Sequence, residues 1–463
     1  MQTNFSQEQL AQPHLAEAEK ILRRCVHCGL CTAVCSTYVV LGDERDSPRG
    51  RIYLIKDMLE NDRPASAEVQ HHVDRCLSCL SCMTTCPGGV DYMHLVDIAR
   101  VHIKETGSRS MTERFVRSLL AKVVPYPDRF RLALKAAPLG RPFVPLMRRL
   151  KLDAMAAMVE LAPDKIPGAP RYEGPGIAET EMKRRARVIM LAGCAQQVLR
   201  PDINDATIRL LARRGVDVIV ANGAGCCGAL VHHMGCEKDA LDQARRNVDA
   251  WSKEMEREPI DAIIINASGC GTTVKDYGHM LQHDDAYAEK AQRISDLTKD
   301  ITEFTIDYEL GPPKRYSSLR VAYHSACSMQ HGQQITDEPK ELLTKAGYTV
   351  VDVPEGHICC GSAGVYNILQ PEIATVLRDR KVDNIRRAKP DLVATGNIGC
   401  ITHLSKGIDI PIAHTVELLD WAYGGPVPRG LEHLKDFVSD VPQSERFIED
   451  DFLYDTDMGE KAS

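Results

Sequence analysis

Eleven residues near the N-terminus, Cys25-Val-His-Cys28-Gly-Leu-Cys31-Thr-Ala-Val-Cys35, constrain this chain more than anything else in its 463 residues. The spacing is C-x2-C-x2-C-x3-C, and it returns as Cys76, Cys79, Cys82 and Cys86, followed by Pro87. Thiolates three residues apart let one tight loop cover three corners of an iron–sulfur cube. In two-cluster ferredoxins the fourth cysteine points away and ligates the other cluster. Structural zinc also uses paired C-x2-C, but zinc ribbons part the pairs by about 15–20 residues, whereas here four cysteines crowd into one short loop. The reading is two [4Fe-4S] clusters in a crossed arrangement. Cys25, Cys28, Cys31 and Cys86 hold one, and Cys76, Cys79, Cys82 and Cys35 the other.

Seventeen cysteines in a small secreted chain would suggest disulfides, but nearly all of these fall into metal-type spacings in a long chain. Such thiols stay reduced in a cytosol, which predicts a cytoplasmic protein. The N-terminal stretch is polar, with no apolar signal core. No apolar run approaches the roughly 18 residues a bilayer span needs, so no transmembrane segment is expected. A net charge of −7 gives no support to nucleic-acid binding.

Between and around the two motifs, apolar residues recur at helical spacing, as in Ile52, Leu54, Ile55, Met58 and Leu59. Helices are expected over 9–22, 47–61, 66–75 and 92–105, giving a helical ferredoxin domain over 1–106. Residues 107–186 read as a connector. Its first part, 107–153, carries eleven Lys and Arg against Glu113, Asp128 and Asp153, interleaved with Phe and Leu and broken by prolines. Such a stretch either straps the two halves together with a solvated face or lies on an anionic membrane or acidic partner. Residues 162–180, rich in Pro and Gly, read as a linker.

Beyond it the chain repeats itself. One unit (187–310) has Cys194, then Cys226-Cys227-Gly228, then Cys270. The next (311–425) has Cys327, then Cys359-Cys360-Gly361, then Cys400. The step from single to tandem cysteine is the same in both, 194 to 226 and 327 to 359. Apolar runs such as 188–192, 216–221 and 262–267 alternate with helical segments, as do 319–324, 348–353 and 391–396, which implies parallel sheets with βαβ crossovers. The fold class is therefore α+β overall, a helical ferredoxin domain followed by two α/β units. Each repeat cysteine falls just past a strand's C-terminal end, where open α/β sheets place ligands. A pseudo-twofold relation between the units would bring both sets to one crevice. Four thiolates per unit suffice for one more cluster each, or for one shared. His324, His403 and His279 stand near enough in sequence to substitute, although a lone His beside a strand is more often a packed residue. Cys236 has no counterpart and reads as a free thiol. The match of 223–228 to G-x-G-x-x-G carries no nucleotide site, because its variable positions are the tandem cysteines. Residues 426–463 read as an acidic tail.

On these motifs the chain resembles the iron–sulfur subunits of membrane-associated dehydrogenases and heterodisulfide reductases, and above all the glycolate oxidase (glycolate dehydrogenase) iron–sulfur subunit family. The residues that carry the likeness are CVHCGLCTAVC (25–35), LGDERDSPRGRIYLIKDMLE (41–60), DRCLSCLSCMTTCPGGVDY (74–92) and NIGCITHL (397–404). The resemblance implies that flavoprotein dehydrogenase subunits, which hold FAD, oxidise glycolate to glyoxylate. This chain, with no catalytic residues for the substrate, would relay the electrons to membrane quinone from the cytoplasmic face of the inner membrane. The alternatives are the iron–sulfur subunit of a D-lactate or glycerol 3-phosphate dehydrogenase, or a heterodisulfide-reductase-like thiol/disulfide redox enzyme. Two departures stand out. Ser36 sits where many members have Pro, and the C-x2-C that closes heterodisulfide-reductase units is replaced by Cys270-x2-Thr273 and Cys400-x2-His403, which favours simple electron relay.

Overall fold

Capping chemistry sets the N-terminal domain. Pro13, Ser47 with Pro48, Ser66 and Asp91 begin the helices Pro13–Arg24, Pro48–Glu60, Ala67–Asp74 and Tyr92–Thr106. The Ser and Asp side chains accept from backbone N–H groups of the first turn, which leaves fewer donors unsatisfied. The helix expected over 9–22 begins instead at Pro13, because proline is favoured at a first helical position and poor inside; Gln7–Leu10 form a separate turn of helix. Leu22, Ile55, Val73, Leu95, Val96 and Ala99 meet in one core, with Cys25, Cys76 and Cys82 at its edge. In this computed structural model the described residues are 1–168, 172, 174–180 and 182–441.

The connector runs as helices Met111–Val123, Pro127–Gly140, Val144–Arg149 and Asp153–Leu161. Its inner faces bury Val116, Leu120 and Leu134 against residues of the first unit, among them Val231, Met234 and Val198. The linker expected over 162–180 is not all linker. Its end supplies β1 (Gly176–Ala178), which pairs antiparallel along the edge of the first unit's sheet.

That sheet continues with β2 (Ala186–Met190), β3 (Val216–Val220), β4 (Ala262–Ile265) and β5 (Thr298–Asp300), in the order β1-β3-β2-β4-β5 and parallel apart from β1. Strand β6 (Arg315–Ser317) opens the second unit. It is followed by β7 (Arg320–Tyr323), β8 (Thr349–Asp352), β9 (Leu392–Thr395) and β10 (Ile412–His414), whose parallel sheet runs β10-β9-β7-β8. Read from the first strand of each repeat outward, the two sheets have the same order. The repeat seen in the cysteines is a repeat of fold.

One apolar core joins Val188, Ile203 and Leu210 of the first unit to Val321, Val393 and Val416 of the second. The loops past β4 and β9 bond to each other across the junction. Ser268 N–H donates to Gly396 O at 3.1 Å, and Asn397 Nδ2 donates to Ser268 Oγ at 2.8 Å. The acidic tail expected from 426 does not begin there. Leu431 and Leu434 are buried, and β11 (Val438–Asp440) pairs with β6, so apolar side chains pin this segment to the second unit. The rest of that expected tail, 442–463, lies outside the described residues.

Candidate metal centres

The two ferredoxin loops share one backbone geometry. The residues flanking the second cysteine are left-handed in both: His27 and Gly29 around Cys28, Ser78 and Leu80 around Cys79. Left-handed backbone is costly for a bulky residue such as Leu80 and persists where the surroundings dictate it, typically at functional sites. Cys25, Cys28, Cys31 and Cys86 line one small cavity, together with Cys82. Cys35, Cys76, Cys79 and Cys82 line another, with Thr37, Arg51 and Tyr92. Cys82 borders both, so the two sites are neighbours.

The first cavity is near the surface, with Cys28 and Val26 exposed; the second is deep. Around the second, Arg51 is buried and donates to His72 O at 2.7 Å and Thr37 Oγ1 at 3.0 Å, and its Nη1 lies 3.9 Å from Cys35 Sγ. Buried Asp46 balances it at 3.3 Å and also accepts from Arg75 at 2.9 Å. Burial opposes the Arg51 charge, yet Cys76, Tyr92, Cys35 and Asp46 hold its pKa above the ordinary range. A fixed cation therefore faces the deep thiols. Nothing in the local sequence marked it, since the pairing of Arg51 with Cys35 and His72 is made only by folding.

The donor set suits a cluster. Burial pushes the Cys31 thiol up to about 11 and Cys82 well above its usual value, so neither ionises readily alone. A bound metal deprotonates such thiols outright, whereas a catalytic thiol needs a depressed pKa.

In the repeats, the glycine of each Cys-Cys-Gly has a positive φ, +94° at Gly228 and +92° at Gly361. A Cβ there would meet the following helix at Ala240 O (3.2 Å) and Ala374 O (2.5 Å). Only glycine lets the tandem turn nest under that helix. The turn gathers each set. Cys226 is in hydrogen-bonding reach of Cys194 and Cys227, and Cys227 of Cys270. In the second unit Cys327 and Cys359 Sγ are 3.8 Å apart, and Cys360 and Cys400 Sγ 3.4 Å. Thiolates of one tetrahedral metal stand about 3.8 Å apart for bonds of about 2.3 Å. Cys194, Cys226, Cys227, Cys270, Cys327 and Cys400 all line one cavity of about 590 Å³, the common crevice of the two units. The rest of its wall includes the apolar inner face of the connector, with Leu120, Val124 and Phe130, and Leu77 and Ser78 of the ferredoxin domain.

The deep ferredoxin site abuts the second unit. Leu77 and Cys79 pack with Cys327, Ile358 and Cys359, and Cys359 N–H donates to Ser36 Oγ at 3.0 Å. Of the three histidines, His279 pairs with Glu17 at 2.6 Å, and His403 is bonded to Ala374 O. Only His324 sits among the cysteines, within 4.8 Å of Cys360 and Cys400. Cys236 stands half-buried with Val231 and Met234, apart from the sets.

Comparison with known proteins agrees with this layout. Residues 21–90 match the model of the 4Fe-4S dicluster domain, and 188–275 and 321–405 each match that of the Cysteine-rich domain. The Escherichia coli glycolate oxidase iron-sulfur subunit is 41% identical over 91% of this chain and 99% of its own length. The chain belongs to the glycolate oxidase iron–sulfur subunit family. Within it, the probable glycolate oxidase iron-sulfur subunit of Bacillus subtilis is 29% identical over 84% of this chain and 89% of its own length. A lactate utilization protein A of Bacillus licheniformis is 26% identical over 50% of this chain and 99% of its own length. By structure the chain is similar in fold to a hypothetical protein from Helicobacter pylori, with a TM-score of 0.50, 9% identity, and coverage of 90% of this chain and 73% of that one. Membership settles the choice between zinc and iron at the ferredoxin loops: the matched domain is a 4Fe-4S dicluster. The chain is an electron-transfer subunit of an oxidoreductase.

Proposed function

We propose that this chain carries electrons from glycolate-oxidising, FAD-bearing flavoprotein subunits to membrane quinone. One observation carries the reading: the cysteine sets form a file. The exposed Cys25 set adjoins the deep Cys35 and Cys76 set, which in turn packs on Cys327 and Cys359 of the second unit. Cys25, Cys28, Cys31 and Cys86 hold the first [4Fe-4S] cluster, and Cys76, Cys79, Cys82 and Cys35 the second. The repeat cysteines hold one or two further centres. Bound there, the clusters supply one-electron storage at potentials tuned by charge and hydrogen bonding.

The chain's own residues set those terms. Arg51 and the Tyr92 hydroxyl, 3.8 Å from Cys76 Sγ, offset negative charge at the deep site. The apolar residues beside exposed Cys28, Val26 and Leu30, offer the flavoprotein a contact face at the entry end. The tandem cysteines are at most 5% exposed, which speaks against thiol/disulfide turnover of a soluble substrate.

At the exit end, the connector's outer side favours a peripheral position on the cytoplasmic face of the inner membrane. No helix among the described residues is long and apolar enough to cross a membrane. Among the described residues, eight of the seventeen exposed large apolar side chains nonetheless lie between Met111 and Leu150, beside exposed Arg114, Lys122, Lys135 and Arg149. Such a face suits an anionic bilayer, and the apolar crevice behind it suits a quinone ring.

The test is to purify the chain with its co-purifying subunits, count iron and labile sulfide, and follow glycolate-dependent dye reduction. The expected result is iron above about eight atoms per chain and reduction by glycolate in preference to D-lactate or glycerol 3-phosphate. Preference for either of those would move the assignment to that dehydrogenase.

A further inference from the structure

The two repeat units share cysteine spacing, strand order and the Cys-Cys-Gly turn, yet they differ directly beside the metal set. Three residues ahead of the single cysteine, the first unit has Leu191 and the second has His324. Leu191 belongs to the apolar core behind its sheet. His324 is only 2% exposed, its N–H donates to Ala394 O at 2.8 Å, and neither ring nitrogen has a hydrogen-bond partner. Each unpaired buried polar atom costs about 1–3 kcal/mol, and native proteins keep few without a reason. Here the reason is adjacent. A ring nitrogen and the sulfurs of Cys360 and Cys400 all lie within 4.8 Å of one another. A metal bonding at about 2.0–2.3 Å can touch nitrogen and sulfur donors set that closely. A buried neutral imidazole is a ready donor.

We propose that His324 is a nitrogen ligand of the iron–sulfur centre in the second unit, alongside Cys360 and Cys400, while the first unit's centre is held by thiolates alone. The assignment rests on the reading that the second unit holds such a centre.

The consequence is electrical. Both units keep four cysteines, so His324 binds iron only in place of one of them, and a neutral imidazole there carries one negative charge less and raises the potential, as in Rieske centres. A second difference acts in the same direction. The helix Pro371–Arg387 buries Lys381, whose Nζ donates to Glu355 O at 2.8 Å, next to the tandem cysteines. On its counterpart Glu237–Arg257 the first unit has neutral Asn247, bonded to Cys226 O. The second unit's centre is thus the more readily reduced of the two, and it is the one that packs against Cys79. Held by His324, Cys360 and Cys400, such a centre would accept one electron from a cluster held at the adjacent Cys79 site, with no bond made or broken.

The experiment uses the full chain, purified without oxygen and labelled with ¹⁵N-histidine, and compares it with His324→Leu, the residue of the first unit, and His324→Cys, which puts a thiolate in the imidazole's place. Pulsed EPR is expected to show histidine nitrogen coupled to one centre in the wild type and in neither variant. The ferredoxin signals stay unchanged. His324→Cys keeps the iron content and lowers the midpoint potential of that centre; His324→Leu, which leaves the four cysteines of the first unit's pattern, loses the nitrogen coupling and also lowers that potential. Iron above about eight atoms per chain without nitrogen coupling, or coupling that survives both substitutions, overturns the His324 assignment alone. Iron of only about eight atoms per chain, or zinc in the second unit, removes the centre itself and leaves the ferredoxin relay standing.

Discussion

Ser36 shows how one atom can join two domains. It follows Cys35 directly, and its buried hydroxyl accepts the N–H of Cys359. The small side chain satisfies a buried amide at the seam between the deep ferredoxin site and the second unit. Ser36→Ala leaves that amide unpaired and is expected to cost about 1–3 kcal/mol, read as a lower denaturant midpoint of the metal-loaded protein with unchanged iron. Loss of iron from the ferredoxin loops in that variant would instead place Ser36 in cluster binding. Arg51 acts on the same site from the other side. Its cation is retained by Asp46 beneath it, so charge at the deep thiols is fixed before any metal arrives.

At the scale of elements, the start of helix Tyr92–Thr106 docks on the first unit through a charged stack. The His94 ring lies 3.6 Å from that of His279 and bonds Asp91 at 2.6 Å and Asp276 at 3.0 Å. Burial works against the imidazolium, but Asp276 and Asp91 outweigh it and raise the His94 pKa to about 10. A raised folded pKa gives stability that is complete below the unfolded value, near 6.5, and that fades as pH climbs through about 10. Melting temperature is therefore expected to fall between pH 7 and 10, and His94→Gln to flatten that slope while lowering stability at neutral pH by about 2 kcal/mol. An unchanged slope would assign the alkaline loss to other groups. The connector makes the second prediction at this scale. Exposed Leu132, Leu139 and Phe143 sit among its basic residues. Sedimentation with anionic phospholipid vesicles should retain the chain at low salt and release it at high salt. Changing all three to Glu is expected to abolish retention with the fold intact, and retention by the triple variant would reduce the connector to a strap.

The molecule as a whole is held as one body by ion pairs that cross between its repeats. Asp420, 1% exposed in the second unit, accepts from Arg209 at 2.6 Å and Arg213 at 2.7 Å in the first. Asp420→Ala strands two guanidinium groups at that junction and is expected to destabilise the protein by about 3 kcal/mol, measured by chemical unfolding. Because the crevice lies on the same junction, its opening should also be visible as faster hydrogen exchange around Ser268 and Asn397. The same crevice explains the connector's course, since its apolar inner face closes the wall that neither unit provides.

Much of this was legible beforehand for a physical reason: metal-binding loops and βαβ repeats are local devices, and their spacing is written along the chain. Cys25 to Cys35, Cys76 to Cys86 and the duplicated Cys-Cys-Gly announce themselves because each loop must present its thiols within a few residues. Helix starts at Ser47, Ser66 and Asp91 are equally local. Other features depend on residues far apart in sequence, and no short pattern encodes them. The edge strand Gly176–Ala178 hides in a Pro/Gly-rich stretch because its partner, not its composition, makes it a strand. Residues 431–440 look like tail until Leu431 and Leu434 are buried and Val438–Asp440 pair with β6. Arg51 against Cys35, Ser36 against Cys359, and His324 against Cys360 and Cys400 are contacts that only the fold creates. The sequence by itself determined that this chain carries clusters and repeats; the tertiary structure alone decided in which order the cysteine sets touch, because that order follows from how the domains dock.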